Sequence, residues 1–474
     1  GDGGGASYLV AASQTVDGYG DHALAGGTVA LLQAAASRDV KQYGAVGDGA
    51  TSDSAAIQAT VNAVQLTGGT VFFPAGTYNI YTEILVDYRG KTGAPNSNPT
   101  RVNIVGEGKG NTVLMAKTDS INTMRVIGDG PITSASHGYM TIRDLVFAGQ
   151  TPTARTANGL KLTDLAYITM EECTFHNLNV GLVLDGALSN KFSGLIFNES
   201  TKGIVGTAAS SGPHANYYSG CEFRSLTGLA YDGFTTTCQA VFIGCQIEAC
   251  GTMGDSAAGG MIFRLSGSAG EVGPTFIGCY FEVQKGGFDL TIEGDPTLRI
   301  GVTIEGCNFN RVSSASYSTN NIITSGNVDL NLLGNTFTSY NTYVPDAGRP
   351  YLLLGSDTRF RDLGNRYEDA VEAPTISQGL PYVGHVEGIL GAGVTGTLPI
   401  GWSVAQTSTG IFAVTHNLGH TDYAITATAN TANDRFVLRT TGQTNSFTVK
   451  MVDVSFLVKD DDFDFSLVEL KPIN

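Results

Sequence analysis

The chain is short of charge, and shorter still of positive charge. Charged residues make up 15%, and 27 Lys plus Arg stand against 43 Asp plus Glu, a formal net charge of −16. No basic cluster stands out, which argues against nucleic acid and an anionic membrane surface as partners. No apolar run approaches the length needed to cross a bilayer, which argues against membrane insertion. The opening GDGGGASYLV carries neither an initiator Met nor a signal-peptide n-region, and predicts a trimmed or processed N-terminus. Cysteine is sparse and odd in number, seven, with no Cys-x-x-Cys and no paired His spacing. A full disulfide framework is therefore not expected, and neither is a metal site or a cofactor; the count fits a protein made in a reducing cytoplasm. There are only 14 Pro and one Trp, Trp402, read either as a platform for a sugar face or as a core anchor.

Glycine, at 62 of 474 residues, is plentiful. The chain is too long for one compact core and too evenly β-patterned for several ordinary domains, a conflict that a stack of coils resolves. A repeat supports that reading. Triplets recur from Leu145-Val146-Phe147 through Cys173-Thr174-Phe175, Cys221-Glu222-Phe223, Cys245-Gln246-Ile247, Cys279-Tyr280-Phe281 and Cys307-Asn308-Phe309 to Asn365-Arg366-Tyr367, most of them directly preceded by Gly. Steps between them run from 22 to 34 residues, one coil each, enough for three short strands and their turns. Period-two alternation places the first and third positions inside. Five of the seven cysteines (Cys173, Cys221, Cys245, Cys279, Cys307) then share one inward slot, which Asn335 and Asn365 continue.

The segment Asp39 to Ile80, DVKQYGAVGDGATSDSAAIQATVNAVQLTGGTVFFPAGTYNI, opens the stack. Ser52 or Asp53 is expected to cap a helix that sets Ile57, Val61 and Val64 on one face and ends at Gly68-Gly69. Such a helix suits the exposed edge of a first coil. This stretch resembles the N-terminal segment of the pectate-lyase-like right-handed β-helix superfamily, in which a GDG turn, an amphipathic helix and a G-G-T-V-x-F-P-x-G-T-Y hairpin lead into the coils. The expected fold is thus all-β: a right-handed parallel β-helix with an N-terminal capping helix and a C-terminal β-sandwich-like domain. Expected boundaries are a lead or neck segment at 1–38, the β-helix at 39–380 with its capping helix near 53–66, and a β domain at 381–474. In the last, Gly410-Ile411-Phe412-Ala413-Val414-Thr415-His416-Asn417-Leu418-Gly419 is similar to small sandwiches that end phage tail fibres and tailspikes. The combined resemblance implies a bacteriophage tailspike: a parallel homotrimer on the virion tail, joined to tail or baseplate through a short or missing N-terminal region, acting outside the host cell on a bacterial surface polysaccharide, O-antigen or capsule.

The outward positions define the candidate site. One column runs Thr174, Ile196, Glu222, Gln246, Tyr280, Asn308, Thr336, and a second runs His176, Asn198, Arg224, Glu248, Glu282, Asn310, Thr338. A strip of carboxylates, amides, an Arg and a Tyr suits a long polysaccharide, which needs polar contacts along its hydroxyls and paired carboxylates at one glycosidic bond. Glu222, Glu248 and Glu282 are the catalytic candidates; Arg224, Gln246, Tyr280, Asn308, Asn310 and His176 are the binding candidates. Coils lie about 4.8 Å apart and the columns about 6.6 Å. Glu248 and Glu282 thus start about 5 Å apart and Glu222 and Glu248 about 8 Å, so retaining and inverting hydrolysis are both open. Like charges at that spacing are expected to raise the pKa of one carboxyl. A solvated face without chemistry is the plain alternative for any single Glu. Asp289, Glu293, Asp295, Asp164 and Asp185 are further acidic candidates, with a turn role for Asp295, and Ala249 to Ala258 is expected to wall the groove. Hydrolysis is the favoured chemistry. β-Elimination, with Arg224, Tyr280 or His176 acting on a uronate, a non-catalytic adhesin and a secreted plant-cell-wall enzyme are the other readings.

Overall fold

The computed structural model describes residues 8–12, 21–32, 36–89, 101–128, 139–150, 155–207, 215–233, 239–253, 255–265, 272–312, 320–340, 351–355 and 357–367, and beyond these the strands lying between 386 and 469. Three parallel sheets dominate. Sheet I has 12 strands from Ser37–Asp39 to Arg359–Leu363, sheet II has 12 from Asp48–Ser52 to Arg366–Tyr367, and sheet III has 10 from Ile84–Asp87 to Leu352–Leu353. Each coil runs from I to II to III, so neighbours within a sheet come from successive coils, and the result is a right-handed parallel β-helix. Two four-stranded antiparallel sheets between Val386 and Glu469 form the C-terminal β region, and a three-stranded antiparallel sheet lies at the N-terminus. Trp402, Cys238 and the His416 to Gly419 part of the terminal motif lie outside the described residues.

Sheet II is built from the triplets. Gly220, Gly244, Gly278, Gly306 and Gly334 sit at φ +57 to +60 just before them, the left-handed region that lets the chain turn from sheet I into sheet II within two residues. The third positions stack as rings: Phe175, Phe197 and Phe223 lie 4.8 Å centroid to centroid with planes within 6°, and Phe281, Phe309 and Phe337 repeat this at 4.7 and 4.8 Å. Gly159, Gly181 and Gly203 of sheet III make room for them, since a Cβ at each would stand 2.6 to 2.8 Å from the facing Phe ring.

The first positions are buried too. Cys221 Sγ faces the carbonyls of Phe192 and Ser219 at 3.6 and 3.7 Å. Burial pushes the Cys173 thiol up to about 12, so it packs as a small neutral group. At the last coils the slot passes to amides: Cys307 N–H donates to Asn335 Oδ1 at 2.8 Å, and Asn335 N–H donates to Asn365 Oδ1 at 2.6 Å.

The capping helix spans Ser54–Thr67, with Ile57, Val61 and Val64 fully buried against the first coils. Asp53 occupies the N-cap position but makes no capping bond. Its carboxylate is used elsewhere, accepting from Val46 N–H at 2.7 Å and Gly47 N–H at 3.3 Å on one oxygen and from Asn79 N–H at 3.0 Å on the other. The side chain expected to start the helix instead ties the GDG turn to the first hairpin, because a fully buried carboxylate must gather several donors to offset lost hydration.

On sheet III, Asp232 accepts from Lys202 Nζ and Arg264 Nη1, both at 2.5 Å, and Arg264 Nε reaches Glu293 at 3.3 Å. Burial of the Asp232 carboxyl pushes its pKa up, but the hydrogen bonds and charges of Lys202 and Arg264 outweigh that and hold it below the ordinary value. A depressed folded pKa means stability that is present above the ordinary aspartate range, about 3.9, and is lost as pH falls below it. Asp232→Asn is therefore expected to flatten the acid limb of a stability-against-pH curve from chemical denaturation. A limb of unchanged steepness would show that the cluster contributes no pH dependence.

Candidate functional site

The register of sheet II fixes both outward columns. Ile196 pairs with Glu222, Glu222 with Gln246, Gln246 with Tyr280, and Tyr280 with Asn308. In parallel, Asn198 pairs with Arg224, Arg224 with Glu248, Glu248 with Glu282, and Glu282 with Asn310. All of these side chains leave the same face of the sheet. The arrangement follows from strands of three residues, Glu222–Arg224, Gln246–Glu248 and Tyr280–Glu282, each with one inward residue between two outward ones.

A second bend ends each strand. Ser225, Ala249 and Val283 follow Arg224, Glu248 and Glu282 at φ +51, +54 and +54. A β-branched residue there is an outlier, kept only where its surroundings over-determine it. Gln284 supplies the constraint. It is fully buried, its Oε1 accepts from Cys250 N–H at 3.0 Å, and its Nε2 donates to the carbonyls of Ile247 at 2.6 Å and Glu282 at 3.2 Å. One amide thus clamps the two strands that carry Glu248 and Glu282.

The polar contacts divide the candidates. Glu222 is ion-paired with Arg224 on its own strand, both partly exposed. Gln246 Nε2 donates to Glu248 Oε2 at 3.0 Å. Asn310 Nδ2 donates to the Tyr280 hydroxyl at 3.2 Å. The Oδ1 atoms of Asn308 and Asn310 are buried and accept no hydrogen bond among the described residues, and Asn310 is only 7% exposed. Buried acceptors of this kind are uncommon, and ordered water or a bound ligand ordinarily satisfies them. His176 stands apart, three coils from Glu248, with Glu199 Oε2 4.0 Å from its Nε2.

Other acidic candidates fall elsewhere. Asp289 and Glu293 belong to sheet III; Asp289 is fully buried with Asn321 Nδ2 at 2.5 Å, and Glu293 faces Arg264. Asp185 accepts from Lys161 and from Thr207 Oγ1 at 2.7 Å on that same sheet. Asp295 caps its own turn, taking the N–H groups of Thr297 and Leu298 at 2.7 and 3.0 Å. None joins the sheet II columns. The described residues 249–253 and 255–258 lie in the chain between the strand Gln246–Glu248 and the sheet III strand Gly259–Arg264. Glu199 and Gln284 escaped the sequence reading. The signal for Gln284 was its place two residues after Glu282, in the slot that Cys250 fills one coil earlier. Among the described residues no group of three or more His, Cys, Asp or Glu side chains could hold a metal ion.

Comparison with known proteins agrees with this architecture. Residues 37–140 match the rhamnogalacturonase A/epimerase, pectate lyase-like family. A segment of 82 residues, 16% of the chain, is 42% identical to mannuronan C5-epimerase AlgE3 of Azotobacter vinelandii, and spans 4% of that protein's length. Of solved structures, the enzymatically active domain of tailspike protein 4 of bacteriophage CBA120 is similar over 98% of this chain and 70% of that one, at 13% identity and a TM-score of 0.57. The tailspike protein of Acinetobacter baumannii phage AM24 is similar over 97% and 87%, at 11% identity and a TM-score of 0.52. The chain thus has the pectate-lyase-like parallel β-helix fold. The solved structures that share this fold with it include these phage tailspike proteins.

Proposed function

We propose that this protein is a phage tailspike depolymerase, a homotrimer on the virion tail that binds a bacterial surface polysaccharide and hydrolyses it at Glu248 and Glu282. The observation that carries the reading is the pairing of these two carboxylates on adjacent strands, beside two amide oxygens that accept no hydrogen bond from the described residues. The similarity in fold to a tailspike domain described as enzymatically active supports an enzymatic reading.

The contacts suggest roles. Glu248 receives the Gln246 amide N–H and serves as the carboxylate. Glu282 gives its proton to the glycosidic oxygen as the C–O bond breaks. In the same step Glu248 either takes a proton from the water that attacks the anomeric carbon, or attacks that carbon itself to form a glycosyl ester, which water deprotonated by Glu282 then cleaves; the configuration of the new end tells which. Arg224, held by Glu222, and the amides of Asn308 and Asn310 bind substrate hydroxyls or acidic groups.

Epimerases and lyases both remove a proton next to a uronate carboxyl, so the epimerase-like segment favours β-elimination as the second reading. Incubation with surface polysaccharides from a strain panel, followed by mass spectrometry and NMR of the products, separates the readings. Hydrolysis adds one water per cut and leaves no ultraviolet absorbance. Unsaturated, ultraviolet-absorbing uronic ends would replace it with elimination. Retention of a glycan without any new ends would mark an adhesin and end the enzymatic proposal.

A further inference from the structure

The inward slot that follows each sheet II bend is apolar in most coils. In register it holds Leu178, Ser200, Leu226, Cys250 and Gln284, all buried inside the solenoid. Packing alone does not account for a primary amide there, since a buried polar group costs free energy unless it is hydrogen-bonded. Gln284 is bonded at three points, and all three lie on or directly beside the strands of Glu248 and Glu282. Its Nε2 donates to Ile247 C=O at 2.6 Å and its Oε1 accepts from Cys250 N–H at 3.0 Å, so the chain is gripped on both sides of Glu248. The same Nε2 donates at 3.2 Å to the carbonyl of Glu282 itself, which Ala249 N–H also reaches at 3.0 Å.

Neighbouring coils show what is ordinary in this slot and what is added. Leu226, behind the strand of Glu222 and Arg224, has no polar group to offer. Cys250 turns only its thiol to the carbonyls of Phe223 and Glu248, at 3.7 and 3.4 Å. Ser200 comes nearest to Gln284: its Oγ accepts from Leu178 N–H at 3.0 Å, one coil back, and donates to Asn198 C=O at 3.2 Å, two residues back. Gln284 makes the same two bonds and adds a third, to Ile247. That third bond needs the longer side chain, and it reaches the strand that carries Glu248. A stabilising ladder repeats from coil to coil, as Asn335 and Asn365 do, whereas Gln284 is the one amide among these five residues.

We propose that Gln284 is a positioning residue: without touching substrate, it locks the backbones of Glu248 and Glu282 in one register, so that both carboxylates meet the same glycosidic bond. This rests on the hydrolytic reading of those two residues. A catalytic group displaced by about 1 Å costs on the order of 100-fold in rate. Sugar binding is spread along the columns over Arg224, Asn308 and Asn310, and depends little on such a displacement. Loss of the amide is therefore expected to act on kcat and to leave KM nearly unchanged.

The test is the full chain carrying Gln284→Leu, which copies Leu226, or Gln284→Ser, which copies Ser200 and can keep the bonds to Cys250 and Glu282. On a polysaccharide that the parent cleaves, Gln284→Leu is expected to lower kcat by about 10- to 100-fold with KM close to parental, and Gln284→Ser to recover most of the loss. Serine leaves the larger void, so a merely structural role predicts the opposite order, with turnover following the unfolding midpoint. Parental kcat in Gln284→Leu, or turnover that tracks the midpoint across both variants, would overturn the proposal. Should Gln284→Leu not fold, Gln284→Cys, which copies Cys250, takes its place. A parent that cleaves no polysaccharide would sink the hydrolytic reading, and the clamp is then read from geometry alone. For this, Glu248→Cys and Glu282→Cys are introduced together and joined by a short bifunctional thiol reagent. Slower joining with Gln284→Leu and recovery with Gln284→Ser would uphold the locked register; equal rates in all three proteins would end it.

Discussion

Glu248→Gln is expected to lower turnover by about 100- to 10,000-fold on any polysaccharide the parent protein cleaves, while glycan retention and thermal unfolding stay close to those of the parent. The amide keeps the shape of the carboxylate and can still accept from Gln246 Nε2, so the local hydrogen bond survives while the proton-accepting or nucleophilic oxygen is lost. Glu282→Gln is expected to match it, because the two carboxylates act as a unit and the loss of either stops the cycle. Glu222→Gln is expected to do less, under about tenfold, since its partner is Arg224 and its contribution is to aim that guanidinium. Asn308→Ala and Asn310→Ala should raise KM more than they lower kcat. Steady-state kinetics on the released ends decide the matter. Near-parental turnover in both the Glu248 and the Glu282 variants would remove the catalytic assignment from sheet II and shift attention to the Lys202, Asp232, Arg264 and Glu293 cluster of sheet III.

How far the chain announces these features depends on whether a local pattern or a distant contact sets them. The sheet II columns were legible because a three-residue strand between two turns has a period of two and a Gly before it. Glu222, Gln246, Tyr280 and Asn308 therefore align in sequence as they do in the sheet. The capping helix was legible from Ile57, Val61 and Val64 for the same reason at helical period. Asp53 was legible as a position and not as a role: its carboxylate is claimed by Val46, Gly47 and Asn79, and only the folded hairpin brings Asn79 there. The bends after the strands were opaque. Ser225, Ala249 and Val283 have no common chemistry, and their left-handed backbone is imposed by bonds such as Val283 N–H to Asn310 C=O at 2.9 Å. Asp289 looked available from sequence because alternation cannot say which of three sheets a strand joins.

Phe223→Ala is expected to destabilise the coils by about 3–5 kcal/mol, the usual range for truncating a fully buried Phe. The ring is completely buried, stacks on Phe197 at 4.8 Å, and sits against Gly203, where an added Cβ would come within 2.8 Å of it. Truncation leaves a void that the neighbouring coils cannot close, because each strand is held in register by the ones above and below. Gly203→Ala attacks the same contact from the other side by overpacking, and its Cβ would also stand 2.5 Å from the Ala230 carbonyl oxygen, so it too is expected to destabilise. The two lesions share one space, so their combined effect should fall short of the sum of the singles. Denaturant midpoints and unfolding half-lives measure this, the half-life being the safer readout if unfolding proves irreversible. A loss below about 1 kcal/mol for Phe223→Ala, the mean for unselected substitutions, would show that the ring stack fills space without holding the coils. Function should follow in a defined order. Phe223 lies between Glu222 and Arg224 on one strand, so the void loosens that ion pair first, and glycan binding is expected to weaken before the clamp at Gln284 releases the strands of Glu248 and Glu282.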